Sequence, residues 1–436
     1  MRSLVLVSVL AACGGSHSAT NPDANSGGDG NGGTDSPGGG NPATITVTLV
    51  DHPTNAAMYS FVAAYQDGAA PWTAAPAPSG DTYSFTINSP VWAFAWTCIV
   101  PGTTIARVEL AYFTVAEKTS LTETIPVGCT DRAMNVGVMG AVTNMPGGGG
   151  FGAWYATRGP VAVTRGTANG DGTFALEAPA GAHDLVVTEG TLTAGTLLVT
   201  DVGLARGVTA PTTTATVDWN NANQVVQGNV TFPQTTAGAS TSTTLYSAGH
   251  TQVTLVAQST GPFVTEGLDP ADALTGDVYA VAMTVRGNGA TASVESWTTT
   301  TADQTFAPPT PLGGATSSVP AAMPYPQILT TWNAYTGATG YVWDARQGGG
   351  NVGTTNTAWT AILGPGYLGG TPRFEMPDLS GLAGWKQAFQ LASGQQVIGT
   401  TAAQVSSAGA GDFPPVNPAV AGTTRTTVSS GWTVTP

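Results

Sequence analysis

The sequence is short of charged residues. Only 9% of its 436 residues are Asp, Glu, Lys or Arg, whereas soluble domains usually hold about 25%. Lysine occurs twice, as Lys118 and Lys386, and the arginines are scattered along the chain. A nucleic-acid partner needs a basic surface that displaces the counterions of the phosphates. The net charge of −14 therefore argues against nucleic acid as a partner.

The sequence also lacks a recognisable catalytic or metal-binding motif. Its four histidines, His17, His52, His183 and His250, have no second histidine, cysteine or glutamate at ligand spacing. His183 precedes Asp184, but neighbouring residues of a strand face opposite sides, so we expect a histidine at a sheet edge rather than an acid–base pair. No nucleophile elbow, phosphate-binding loop or dinucleotide glycine pattern occurs. We predict no enzymatic activity, no metal and no cofactor.

The first of three cysteines ends a short apolar run. Cys13 follows Leu10, Ala11 and Ala12, and this segment resembles the lipobox of bacterial lipoproteins. The resemblance implies that residues 1–12 are a signal peptide removed by a peptidase, and that Cys13 carries the fatty acyl chains. Several acyl chains make a stable membrane anchor, and Gly14 resembles the pattern that sorts such proteins to the outer membrane, on its periplasmic face or at the cell surface. The alternatives are an ordinary secretory signal or a misassigned start.

The other two cysteines, Cys98 and Cys129, fall within one predicted domain. An exported protein meets an oxidising compartment. A disulfide closing a loop of this length stabilises by about 3.5 kcal/mol in the chain-entropy model. We predict this disulfide, with two separate buried thiols as the alternative.

The remaining sequence predicts an all-β chain of tandem immunoglobulin-like or transthyretin-like β-sandwich domains behind a disordered tether. Residues 13–42 are rich in Gly, Asn, Asp and Ser with almost nothing to bury. Apolar and hydroxyl residues then alternate from Thr44 to Leu49, and the alternation at Tyr83, Phe85 and Ile87 predicts a further half-buried strand. The segment 286–290, Arg-Gly-Asn-Gly-Ala, predicts a hairpin turn into a strand. The predicted sandwich domains are 43–130, 131–228, 229–310 and 311–436, and the last two form either separate domains or one unit. A proline-rich stretch, 308–326, marks a boundary or a crossing between sheets.

Two segments resemble known sandwich families. In 170–187, an Asp-Gly turn leads into a strand and a Pro-Ala-Gly corner leads into the next, which resembles the carboxypeptidase regulatory-like, transthyretin-like domain. In 332–343, Trp332 and Tyr341 bracket a glycine-rich corner before Trp343, which resembles the B and C strands of a fibronectin type III domain. Both resemblances imply a fold and no activity.

Three tryptophans are the candidate ligand-binding residues. Most of the eleven tryptophans, Trp92 and Trp343 among them, lie in apolar contexts and are expected in the core. Trp297, Trp359 and Trp432 are flanked by threonine or alanine and are expected to be exposed. Exposed indole rings stack on sugars and donate hydrogen bonds to hydroxyl groups, so these three would form a carbohydrate-binding surface.

The whole chain is similar in composition to the tethered, Thr- and Gly-rich lipoproteins of myxobacteria. This resemblance implies a non-catalytic envelope protein with a display, adhesion or structural role. Its expected partners are a membrane, through the lipid anchor, and a cell-surface protein or glycan. A carbohydrate-binding surface protein is one alternative, and an enzyme whose site is assembled between domains is another.

Overall fold

The structure is a computed structural model that describes residues 42–436 apart from 127, 132–134, 145–150, 159–161, 168–171, 194–195, 233–237, 288, 349–355, 371 and 416. The predicted signal peptide, the lipidation of Cys13 and the tether up to residue 41 lie outside the described residues, as does the Asp171 of the predicted Asp-Gly turn.

Strands make up almost all of the regular structure, so the predicted all-β fold is confirmed. The first seven strands are β1 (Ala43–Val50), β2 (Val62–Asp67), β3 (Thr73–Ala74), β4 (Thr82–Ile87), β5 (Val91–Ile99), β6 (Ile105–Thr114) and β7 (Ser120–Thr124). The next fifteen are β8 (Asn135–Thr143), β9 (Phe151–Arg158), β10 (Ala162–Thr167), β11 (Thr173–Pro179), β12 (Gly181–Thr193), β13 (Thr196–Ala210), β14 (Thr212–Asp218), β15 (Asn223–Gln224), β16 (Val226–Thr231), β17 (Ala239–Tyr246), β18 (Gln252–Gln258), β19 (Val264–Gly267), β20 (Val278–Gly287), β21 (Ala290–Thr298) and β22 (Gln304–Thr305). The last seven are β23 (Thr316–Ala321), β24 (Gln327–Thr331), β25 (Gly340–Gln347), β26 (Asn356–Leu363), β27 (Arg373–Glu375), β28 (Val397–Ser406) and β29 (Thr424–Val434).

Helices are short among the described residues. They comprise α1 (Pro365–Leu368) and 3-10 turns at Trp219–Asn221, Gln387–Phe389 and Ala410–Asp412. None of the described helices has the length and hydropathy needed to cross a bilayer.

The chain divides into two compact units. The terminal unit holds the described residues of Ala12–Arg132 together with Leu312–Gln404 and Ser429–Pro436. The central unit holds those of Ala133–Pro311 together with Val405–Val428. One division therefore falls inside the proline-rich stretch, between Pro311 and Leu312. The boundaries of the four predicted domains remain a prediction.

The terminal unit has one large sheet with a small sheet on each face. In the large sheet, β3, β2, β5 and β6 pair antiparallel in that order, β26 joins β6 in parallel, and β25 and β28 follow antiparallel. On one face Tyr83 of the β4-β1-β7 sheet packs on Phe94, with ring centroids 5.4 Å apart. On the opposite face Phe374 of the β23-β24-β27 sheet packs on Trp343 at 4.6 Å. Strand β5 is buried at all but its two end residues, which explains why it is apolar on both faces.

The central unit is also layered. Its β11-β8-β14 sheet buries Phe174 and Leu176 in one core with Leu185 and Val187 of β12. Strand β12 pairs with β9 and β13, while β17, β18, β20 and β21 form a further run of antiparallel pairs. The predicted hairpin between β20 and β21 is confirmed, because Gly287 pairs with Ala290 across the turn.

Candidate functional site

Four charged side chains share one face of the large sheet in the terminal unit. Arg107 and Glu109 lie on β6, and Asp344 and Arg346 lie on β25, with β26 between them. In the register, Arg107 and Arg346 pair with one residue of β26, and Glu109 and Asp344 pair with another. Paired residues point to the same side of a sheet, as do residues two apart on a strand. We call this group the charge quartet.

The two ion pairs of the charge quartet differ in geometry. Arg346 holds Asp344 through two contacts, with Nε 2.9 Å from Oδ1 and Nη2 donating to Oδ2 at 3.1 Å. Arg107 approaches Glu109 only to 4.0 Å between Nη1 and Oε1. The Nε of Arg107 is buried and makes no hydrogen bond. Arg346 is therefore engaged by its acid, whereas Arg107 keeps most of its donors.

Burial dominates the acidity of the two carboxyl groups. Burial raises the pKa of Glu109 well above its usual value, Arg107 lowers it in part, and the nearby Glu123 and Asp344 raise it again. Burial also raises the pKa of Asp344, and Arg346 opposes that change. These acids therefore hold less negative charge at a given pH than exposed ones.

A third carboxylate lies near the charge quartet, on the β4-β1-β7 sheet. Glu123 of β7 accepts a hydrogen bond from Nε1 of Trp96 at 3.0 Å, and Trp96 pairs with Glu109 in the β5–β6 register. Burial raises the pKa of Glu123, and this hydrogen bond lowers it in part. The three carboxyl groups can each bind a proton. Glu109 and Asp344 are buried, however, so a bulky substrate does not reach these two.

The arginines, in contrast, reach the surface. Their side chains are 38% exposed at Arg107 and 51% exposed at Arg346. Across the sheet, Arg107 pairs with Ala358, Ala358 with Arg346, and Arg346 with Ile398. Ile398 is 58% exposed. We call these four residues the arginine row.

A second buried ionic group lies in the central unit. The guanidinium of Arg206 bridges two acids, donating from Nη1 to Asp184 at 2.6 Å and from Nη2 to Asp277 at 2.8 Å. Asp184 also accepts from the backbone N–H of Gly207 and Gly249 at 3.1 and 3.2 Å. Burial raises the pKa of Asp184, but the hydrogen bonds from Arg206 and Gly207 outweigh it and the net pKa is lowered. This group joins β12 and β13 to the connections that hold Gly249 and Asp277, which is a structural task.

The sequence predicts that His183 and Asp184 face opposite sides of a strand, but in the structure both contact the loop that holds Gly249. The ladder between β12 and β13 is irregular between His183 and Leu185. As a result Asp184 accepts from Gly249, and the His183 ring lies 6.4 Å from that of His250. Burial lowers the pKa of His183, and the charge of His250 lowers it further. Within the part of the chain that the structure describes, no group of three or more His, Cys, Asp or Glu side chains is arranged to hold a metal ion.

The expected exposure of the three candidate tryptophans is wrong. Trp297, Trp359 and Trp432 are 1%, 0% and 6% exposed. Nε1 of Trp359 donates to the Phe389 carbonyl at 2.7 Å, and Nε1 of Trp432 donates to Oγ1 of Thr401 at 3.2 Å. Small, weakly polar neighbours such as threonine and alanine are themselves buried in layered sheets, so they do not indicate exposure. These tryptophans are core residues and cannot stack on a sugar.

The predicted disulfide is confirmed. Cys98 of β5 and Cys129, which follows β7, are joined with an S–S distance of 2.05 Å and a Cα–Cα distance of 5.8 Å. The bond links the large sheet to the end of the β4-β1-β7 layer in the terminal unit.

Sequence reasoning missed both ionic groups. In β6 and β25, opposite charges stand two residues apart inside apolar strands, as Arg107 with Glu109 and Asp344 with Arg346. That pattern places each pair on one face of a buried strand and was the available signal. No local signal marks Asp184, because its partners Arg206, in β13, and Gly249, in a loop, are distant in the sequence.

Comparison with known proteins adds no family. No protein-family model matches the sequence, and no curated protein matches it. One solved structure that matches is "The Bacillus anthracis TIE protein", which is 9% identical to this chain with a TM-score of 0.13. The match covers 83% of this chain and 63% of that chain, so it spans less than two thirds of that structure.

Proposed function

We propose that this chain is a lipid-anchored, non-catalytic display or adhesion protein of the bacterial outer membrane. The observation that carries the proposal is the order of its parts, in which a short apolar run, Cys13 and a segment rich in Gly, Asn and Ser precede an all-β, sandwich-like body. The disulfide between Cys98 and Cys129 supports an exported location. A folded, strand-rich part joined through a tether to a lipid anchor suits the presentation of a surface to a partner.

The proposal includes the family of the second domain. We propose a carboxypeptidase regulatory-like sandwich for 131–228. Support comes from β11 and β12, which follow each other through a corner at Ala180, lie in different sheets and face each other through Phe174 and Leu185. Gly172, before β11, has a φ of +83°, and a Cβ there would collide with the carbonyl of Val142. A tight turn into a strand requires glycine at such a position.

For the last domain we propose a fibronectin type III-like module. Trp332 and Tyr341 are both buried, and their ring centroids lie 5.8 Å apart. Gly337, in the corner between them, has a φ of +76°. This packing is what the resemblance implied for the B and C strands.

The anchor is tested by fractionating cells that make the full-length chain. We expect the protein in the outer membrane and expect Cys13→Ala to release it from that fraction, because acyl chains supply the binding energy. Ser16→Ala is the matched control in the same segment and should stay bound. A Cys13→Ala protein that remains as firmly bound as the control contradicts the lipid anchor.

The adhesive role is tested separately. Cells lacking the gene, and cells making only the Cys13→Ala protein, should attach less to other cells or to matrix than cells making the full-length protein. Equal attachment in all three strains contradicts the adhesive role.

A further inference from the structure

We propose that the arginine row is a binding surface for the carboxylates of an acidic polysaccharide. This inference rests on the proposed adhesive function and names the class of ligand. It replaces the three tryptophans with a different surface, formed by Arg107, Ala358, Arg346 and Ile398 in the terminal unit.

The first argument is charge complementarity. The chain carries a net charge of −14, yet this surface presents two guanidinium groups, while the acids that accompany them lie buried beneath. Arg107 is held at 4.0 Å from Glu109, and its Nε makes no hydrogen bond. Arg346 gives two contacts to Asp344 but is half exposed. A guanidinium has five N–H donors, so both arginines have donors left for an anion.

The second argument is the spacing of the row. Charged and apolar residues alternate across four neighbouring strands, which lie about 4.8 Å apart. Guanidinium groups match carboxylates through planar, paired hydrogen bonds. Ala358 and Ile398 provide apolar surface for the C–H faces of sugar rings. A polymer of uronic acids offers carboxylates and such faces in turn along its length.

The third argument separates a polysaccharide from an extended peptide. Peptides that add to sheets are held by main-chain hydrogen bonds at an open edge. The three strands that carry Arg107, Ala358 and Arg346 are each paired on both sides, β6 with β5 and β26, β26 with β6 and β25, and β25 with β26 and β28. Their backbone groups are already used, so recognition falls to side chains.

The test is a binding titration with the full-length protein in detergent. Polygalacturonate is the probe, dextran is the uncharged polymer, and polyglutamate is the acidic peptide. We expect polygalacturonate to bind, more weakly as salt is added, and dextran not to bind. Arg107→Gln and Arg346→Gln should each weaken binding about tenfold or more, since hydrogen bonds to charged groups are the strong ones.

Matched variants separate binding from folding. Arg373→Gln removes an arginine of the same unit that is 49% exposed and paired with Glu375 at 2.9 Å, and it should bind as the original protein does. Ile398→Asp adds a negative charge at an exposed position without removing an ion pair. It should also weaken binding, even if Arg346→Gln fails to fold.

The outcomes distinguish a failure of this inference from a failure of the proposed adhesive function. Binding of polygalacturonate that survives Arg107→Gln and Ile398→Asp overturns the surface, as does an absence of binding. Equal, arginine-dependent binding of polyglutamate overturns the choice of polysaccharide. If cells need the chain for attachment but no polymer binds, only this inference fails. If the polymer binds but cells attach equally well without the chain, the adhesive function fails and the surface stands.

Discussion

Both compact units bury carboxylates beside arginine, but the acidities move in opposite directions. In the central unit Asp184 receives hydrogen bonds from Arg206 and from the backbone of Gly207 and Gly249, and its pKa is lowered despite burial. In the terminal unit Glu109 has Arg107 at 4.0 Å, and its pKa is raised well above the usual value. A nearby cation alone therefore does not keep a buried carboxylate charged.

The difference follows from where each acid stands in its sheet. Glu109 lies in the middle of β6, whose backbone N–H groups are used by pairing with β5 and β26. Asp184 stands at the irregular point of the β12–β13 ladder, where the N–H groups of Gly207 in β13 and of Gly249 in the loop after β17 are available. Donors to the charged form offset desolvation, so Asp184 should stay ionised to a lower pH than Glu109.

The largest effect is expected from breaking the ion pairs of Arg206 with Asp184 and Asp277 in the central unit. Arg206→Ala leaves Asp184 and Asp277, whose side chains are 4% and 1% exposed, without their shared cation. We expect the free energy of unfolding to fall by about 3 to 5 kcal/mol, measured by urea denaturation, with faster hydrogen exchange confined to the central unit. Arg373→Ala removes an exposed pair and should cost less than about 1 kcal/mol. If Arg206→Ala lowers the free energy of unfolding no more than Arg373→Ala does, the ion pairs of Arg206 do not have the stabilising role expected of them.

A buried acid with donors but no cation tests the comparison next. Glu266 accepts from the Val199 N–H at 3.1 Å and from Nε2 of Gln227 at 2.9 Å, and burial raises its pKa from 4.5 to about 7. Between these values the folded state keeps a proton that the unfolded state has lost. The free energy of unfolding should therefore fall as pH rises from 4.5 to 7, by about 3 kcal/mol.

Thermal or urea unfolding across this pH range provides the measurement. Glu266→Gln should remove the decline, because an amide side chain does not titrate. The Gln227 amide can turn to accept from the new amide, so the hydrogen bond is kept. The exposed-pair variant Glu375→Gln should retain it. An unchanged pH slope in Glu266→Gln would show that other groups cause the decline.

Local patterns predicted much of this fold. Alternation predicted β1 and β4, and the turn after β20 predicted a hairpin that the structure contains. The pairing of β6 with β26 could not be predicted, because it joins residues about 250 positions apart, and alternation identifies a strand but not its neighbour. The exposure of Trp359 was wrongly predicted for the same reason, since β26 has a partner strand on each side and the ring of Trp359 packs against Tyr325 and Trp385.

The charge quartet shows the same limit at the level of a site. The pairs of opposite charge in β6 and β25 are visible in the sequence, and each predicts an ion pair on one strand face. That the two pairs adjoin depends on β26 lying between them. The surroundings of Asp184 are less predictable still, because Arg206 lies in β13 and Asp277 in the connection before β20, which are far apart in the sequence.

The smallest effect is expected from two separate variants, Asp184→Asn and Glu109→Gln, each of which replaces a buried acid of one unit with its uncharged amide. Asp184→Asn at pH 8 should lower the free energy of unfolding by about 2 kcal/mol, because an amide N–H₂ faces N–H donors and Arg206 loses a charged partner. Glu109→Gln should leave it unchanged or raise it, because it removes a charge that burial disfavours. On acidification the wild-type protein should lose the Asp184 contribution as pH falls through its lowered pKa, while protonation of Glu109 costs nothing. If both variants lose the same free energy at pH 8, the number of hydrogen-bond donors does not separate the two acids.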